Sequence, residues 1–219
     1  MSQRGLAMSW AQHAKNGLPS FDGFEINSRV HDPKQLAAWK VETNNDGTVF
    51  RALYRGRLLD EAFMDGWSGK TLAEVTPPSL QVSIISASEH CANTGNAVFT
   101  ILRTYDSAGY AIDLERLLLP FGNDGRVDLI LASLQLISLQ GTVDRRGVVD
   151  NFEAQYEDVL AVSISAGSME SPLRLTLHTI KQQAEMLVPR QGESLGDLLE
   201  RDLRVITEST RGQLGRKEG

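Results

Sequence analysis

His90 and Cys91 are the adjacent side chains of this sequence best suited to nucleophilic or metal chemistry, because a histidine can activate a neighbouring thiol. They lie near the end of SLQVSIISASEHCANTG, in which Leu80, Ile84, Ala87 and Cys91 recur at helical spacing. Consecutive residues of an α-helix point about 100° apart, so the pair does not converge on one pocket. Cys91 continues the apolar stripe and reads as core; His90 flanks it and reads as a surface or boundary residue. His13, His31 and His178 are scattered, and the absence of HxH, HxxxH or CxxC spacing gives zinc no ligand set. Gly69-Lys70-Thr71 invites a phosphate loop, but that motif needs a glycine where Met64 stands and a strand where a helix is expected. It reads instead as a turn into a short helix that packs Leu72 on a sheet. Ser163, Ser165 and Ser168 around Gly167 do not form GxSxG. Asp113 and Glu115 alternate on the outer side of a strand with Arg116 beside them, and all three read as solvated charges. Arg145-Arg146 reads as a solvent-facing pair. Without a catalytic constellation the chain reads as non-enzymatic.

The elements around these residues centre on ERLLLPFGNDGRVDLILASLQLIS, Glu115 to Ser138, which holds two apolar runs joined by a glycine-containing turn. Successive strand side chains point to opposite faces, so a hairpin with one wet face alternates apolar and polar. This one is apolar on both faces, and both need cover. A hairpin is expected over Trp39–Gly56, turning at Asn44–Gly47. Short helices follow at Arg57–Met64 and Thr71–Val75, and a longer one ends at Asn93-Thr94-Gly95. Asn96–Tyr105 opens a three-stranded meander. Together these predict an α+β fold: a five-stranded antiparallel sheet with short helices on one face. The other face is left to an N-terminal helix over Leu6–Lys15, to the C-terminal helices or to a second subunit.

Residues 141–219 are expected to form a helical extension to a domain spanning residues 1–140. Its first helix carries Val148, Phe152, Tyr156, Val159, Leu160 and Ser163 on one face and stops near Gly167. The second starts at Ser171-Pro172 and runs through Leu187, the third follows Ser194, and the end frays. VLAVSIS and LRLTLHT also alternate well enough to be strands, but cap signals and lengths favour helices.

The chain has 219 residues, of which 41% are hydrophobic and 23% charged, enough for a sizeable core. Its net charge of -6 disfavours a nucleic-acid partner. The single cysteine fits a reducing compartment. The N-terminal stretch lacks a signal-peptide core, and LILASLQLIS is far shorter than a membrane span. The expectation is a cytoplasmic protein without a membrane partner.

Three stretches carry a resemblance: Trp10 with Gly17-Leu18-Pro19, then DGWSGKTLAEV (Asp65 to Val75), then ERLLLPFGNDGRVDLILAS (Glu115 to Ser133). In this order they resemble a bacterial PAS-domain family with an N-terminal W…GxLP stretch and an ERLLLPxGxDGxVDxIL hairpin. The resemblance covers residues 1–138 and departs at LILAS, where the family shows a glycine. It implies a PAS-like sheet with a pocket between sheet and short helices, which Tyr54, Trp67, Phe99 and Ile101 are the side chains expected to approach, or simply to fill. Some PAS domains hold haem through a histidine in this part of the fold, which would fall on His90. The resemblance fixes no cofactor. It implies a sensory, signal-transduction or protein-interaction module with a helical output or dimerisation segment, homodimeric and with a signalling protein as a further partner. The alternative is a regulator that binds a small metabolite or haem.

Overall fold

The computed structural model describes residues 3–14, 17–26, 32–44, 47–62, 66–105, 109–138, 148, 151–152 and 155–167. Helix α1 (Gln3–His13) is followed by the hairpin β1 (Leu36–Asn44) and β2 (Gly47–Arg55). Helices α2 (Arg57–Ala62), α3 (Leu72–Val75) and α4 (Gln81–Thr94) come next, then the strands β3 (Ala97–Tyr105), β4 (Ala111–Asn123), β5 (Arg126–Ser138) and β6 (Glu157–Ile164). The sheet is antiparallel in the order β2-β1-β5-β4-β3-β6.

Two expectations change. The sheet has six strands rather than five, and Glu157–Ile164, read as helix from its stripe, is a strand along β3. Tyr156, Val159, Leu160 and Ser163 keep helical spacing, while Leu160, Val162 and Ile164 of the same run alternate as a strand does. The open edge of β3 decides between them, because pairing satisfies its backbone groups and places those three side chains beside Ile101, Phe99 and Ala97. The two further helices expected after Ser171 lie outside the described residues.

Local chemistry explains the punctuation. Gly69-Lys70-Thr71 is the entry to α3. Thr71 Oγ1 accepts from the Glu74 N–H at 3.3 Å, and Glu74 Oε2 accepts from the Thr71 N–H at 2.6 Å, a reciprocal capping box. Helix α4 ends at Gly95, whose φ of 64° lets its N–H reach the Cys91 carbonyl at 3.0 Å. The β4–β5 hairpin turns through Asp124 (φ 52°) and Gly125 (φ 75°), the positive pair that a tight two-residue loop requires. Beside it, a Cβ on Gly122 would overlap the Arg126 carbonyl.

The sheet separates two apolar layers. On the inner face Trp39, Phe50, Val98, Leu102, Leu114, Leu118 and Ile130 pack with Leu72, Leu80, Ile84 and Cys91 of the helical side. On the outer face the register aligns Leu117 and Leu119 of β4 with Ser133 and Leu131 of β5. Helix α1 covers this second face, burying Leu6, Ala7, Trp10 and Ala11 against the sheet. Trp10 is 1% exposed, and its Nε1 donates to the Pro120 carbonyl at 2.7 Å. The β3–β4 pairing ends at Val98 and Leu118, so Pro120 lies past the last rung on that side. Its missing N–H therefore costs no β3 ladder bond. Gln3 Nε2 reaches the Ser133 carbonyl at 2.9 Å and that of Glu115 at 3.1 Å. Phe21 and Phe24 extend the cover over Phe121, with ring centroids 5.1 and 4.8 Å away. Of the three covers left open by the sequence, the chain's own N-terminal helix takes this role.

Candidate functional site

Between the inner face and the helical side lies a cavity of about 50 Å³. Its floor comes from Trp39 of β1, Leu114, Arg116 and Leu118 of β4, and Ala132 and Leu134 of β5. The opposite wall is made by Trp67, the α3 to α4 segment and Ser88, and Val148 and Phe152 close one side. Trp67 is held from two directions: its ring centroid is 5.2 Å from that of Trp39, and the Arg55 guanidinium carbon sits 5.1 Å over its face.

Phe152 reaches the cavity because β3 anchors the turn that carries it. Thr104, pointing inward at the end of β3, lies within hydrogen-bond distance of two carbonyls, Asn151 at 3.0 Å and Gln155 at 2.7 Å. Its single hydroxyl proton serves one of them at a time. Ser83 ties α4 to β6 in a similar way, its hydroxyl donating to Asp158 Oδ1 at 2.6 Å.

Arg116 is the unusual wall residue. Among the described lining residues it alone carries a charge, and it is 4% exposed. Among the described residues its Nη1 has no hydrogen-bond partner and no carboxylate forms an ion pair with it. Thr100, its partner across the β3–β4 rung, buries a hydroxyl that is also without a partner among the described residues. Burial pulls the guanidinium down to about 10, with the charge of Asp158 acting in the opposite direction. Arg116 is thus still cationic at neutral pH. On nearby α4 the same burial pushes the Cys91 thiol well up, which keeps it protonated and unreactive.

The expected pocket residues separate. Trp67 lines the cavity. Tyr54 is 49% exposed on edge strand β2, its hydroxyl donating to the Pro33 carbonyl at 3.3 Å. The alternation Phe50, Ala52 would have sent Tyr54 inward, but an extra residue at Leu53 shifts the register between Ala38 and Trp39 and turns it to the outer side. Phe99 and Ile101 are half-buried on the outer face, because Val98, Thr100, Leu102 and Thr104 are the buried alternates of β3. His90 is exposed and does not line the cavity.

The triad of charges on β4 also divides, correcting the reading of solvated side chains. Asp113 is buried and accepts from Arg103 Nε at 2.7 Å and Nη2 at 2.9 Å. Glu115 is half-buried, and burial followed by the charge of Asp113 raises its carboxyl above the ordinary value. Arg116, one residue on, faces the cavity. The available signal was parity: between Leu114 and Leu118, the position of Arg116 is an inward one.

Among the described residues no helix is long and apolar enough to cross a membrane. No family model matches the chain, and no curated protein matches it. Among solved structures it is similar to a variant of the protein called RsLOV, at TM-score 0.37 and 13% identity, over 66% of this chain and 74% of that one. It is also similar to an RNA-binding light-oxygen-voltage receptor, at TM-score 0.34 and 22% identity, over 62% of this chain and 39% of that one. A LOV protein of Rhodobacter sphaeroides aligns at TM-score 0.34 and 12% identity, over 68% of this chain and 74% of that one.

Proposed function

We propose that the chain is a non-catalytic PAS-type sensory module that responds to a small ligand held between its sheet and its short helices. The observation that carries this reading is the cavity itself, walled by short helical elements and closed by Val148 and Phe152. Pockets of this character, mostly apolar with few polar groups, suit small-molecule binding. A ligand biases such a module only through different interaction free energies with two states. The α3 segment and the turn fastened by Thr104 supply the parts whose packing an occupant would alter.

A reaction would need converging titratable groups, and the cavity offers a single arginine among its described lining residues. The proposal includes a cytoplasmic homodimer with an output segment in residues 171–219. Edge strand β2, with Leu53 and Tyr54 exposed, supports self-association. Native mass spectrometry of the full chain purified from its own host tests the ligand reading. We expect a small non-covalent adduct; its absence, together with no change in hydrogen exchange of α3 and residues 151–155 on adding host metabolite extract, would overturn it.

A further inference from the structure

We propose that the occupant of this cavity is a small organic monoanion, a carboxylate with a short apolar tail, whose charged end is held by Arg116. The inference rests on the sensory reading above and names its ligand class. A charge withdrawn from water is strongly unfavourable unless it is paired and hydrogen-bonded. Arg116 is buried, and its Nη1 donors have no partner among the described residues. The nearest influential acid, Asp158, stands at the exposed junction of β6 with α4, where the Ser83 hydroxyl already occupies Oδ1 at 2.6 Å. The cavity therefore has a fixed positive point and no anion from the described residues to meet it.

The geometry of guanidinium favours a planar acceptor with two oxygens, and a carboxylate supplies one. The remaining wall is apolar, with Trp39, Trp67, Leu134 and Phe152 around the space where a tail would lie. Size narrows the class further. A single water needs roughly 10–15 Å³ of such volume, so the 50 Å³ present accepts a molecule of only a few heavy atoms. A second charge would lie against indole and leucine without a counter-ion, so dicarboxylates and phosphorylated compounds are excluded.

The test is thermal and calorimetric titration of the full chain with acetate, propionate and butyrate. Propionamide, propanol, malonate and chloride serve as matched probes. We expect the monocarboxylates to raise the unfolding temperature in a saturable way, and the others not to. Arg116→Met keeps an unbranched apolar stem and removes the guanidinium with its charge. It should weaken propionate binding by about ten- to a hundredfold, the factor carried by a charge-assisted hydrogen-bonded contact. Without added anion, Arg116→Met should be at least as stable as the parent, since it deletes an unpaired buried charge. A clear loss of stability there would show that Arg116 is already paired within the chain and would overturn the inference. Equal protection by chloride or by propionamide would also overturn it. A neutral molecule bound in protein from the host would sink the anion assignment and leave the sensory module standing. Neither an adduct nor protection by any probe would remove both.

Discussion

Replacing Trp10 by alanine tests whether α1 is a structural lid in solution. Trp10 is among the largest fully buried side chains, and its indole donates to the Pro120 carbonyl. Large-to-small replacement of a buried aromatic costs about 3–5 kcal/mol. The lost indole hydrogen bond adds a penalty of ~1–3 kcal/mol that overlaps with the first, since water entering the gap would re-solvate the carbonyl. We therefore expect a loss of roughly 3–5 kcal/mol, a large part of the ~5–15 kcal/mol available to a typical domain. With an m-value of ~2 kcal/mol/M, the urea midpoint should fall by roughly 1.5–2.5 M. Circular dichroism follows the whole fold, while Trp39 and Trp67 remain as fluorophores in the other apolar layer. Trp10→Phe retains most of the packing and loses the donor, which should cost about 1–2 kcal/mol. Met8, 39% exposed on the same helix, provides the control, and Met8→Ala should stay within about 0.5 kcal/mol. Removing residues 1–16 altogether should expose the outer face and produce strong binding of a hydrophobic dye. A Trp10→Ala variant within about 1 kcal/mol of the parent would refute the lid, because that is too little for a fully buried indole.

Thr104→Val removes the hydroxyl that fastens residues 151 and 155 and takes away one shared donor, the Asn151 carbonyl keeping the Gln155 N–H at 3.0 Å. We expect a loss of about 1–2 kcal/mol, with hydrogen-exchange protection falling first around Phe152; uniform protection would count against the anchored turn. Glu115→Gln probes the half-buried carboxyl whose pKa is raised by burial and then by Asp113. Because the folded state holds that proton more tightly than the unfolded one, the native carboxyl disfavours folding progressively as pH rises from the unfolded pKa to the folded one. The variant should thus be the more stable protein at about pH 7, with the gap closing below ~pH 4, the ordinary carboxylate range. A gap that widens on acidification would reverse the assignment.

Much of the architecture was legible along the chain, because local chemistry wrote it there. The two-sided apolar runs around Pro120 and Ile130 demanded a covered sheet, Asp124-Gly125 specified its hairpin, and Thr71 with Glu74 and Gly95 marked helix ends. These signals act over a few residues, so the sequence alone carries them. The expected α4 stripe also matches the burial of Ile84 and Cys91.

What depended on distant partners was not legible. The helical stripe Tyr156, Val159, Leu160, Ser163 competes with the strand alternation Leu160, Val162, Ile164 until the free edge of β3 is present to pair with them. Tyr54 and Trp67 looked equivalent as pocket residues, yet a one-residue bulge at Leu53 turned the tyrosine outward. The site shows this most clearly. Arg116 sits between a surface-looking glutamate and a leucine, where a charge ordinarily signals water. Its type determined that a cation would stand somewhere on β4. Only the pairing of β4 with β3 and β5, and the helices packed across them, decided that this cation would be shut away from solvent with no ion-paired carboxylate among the described residues. Strand parity is a local property, but the face it assigns acquires its polarity from what packs against it, and that is settled in three dimensions.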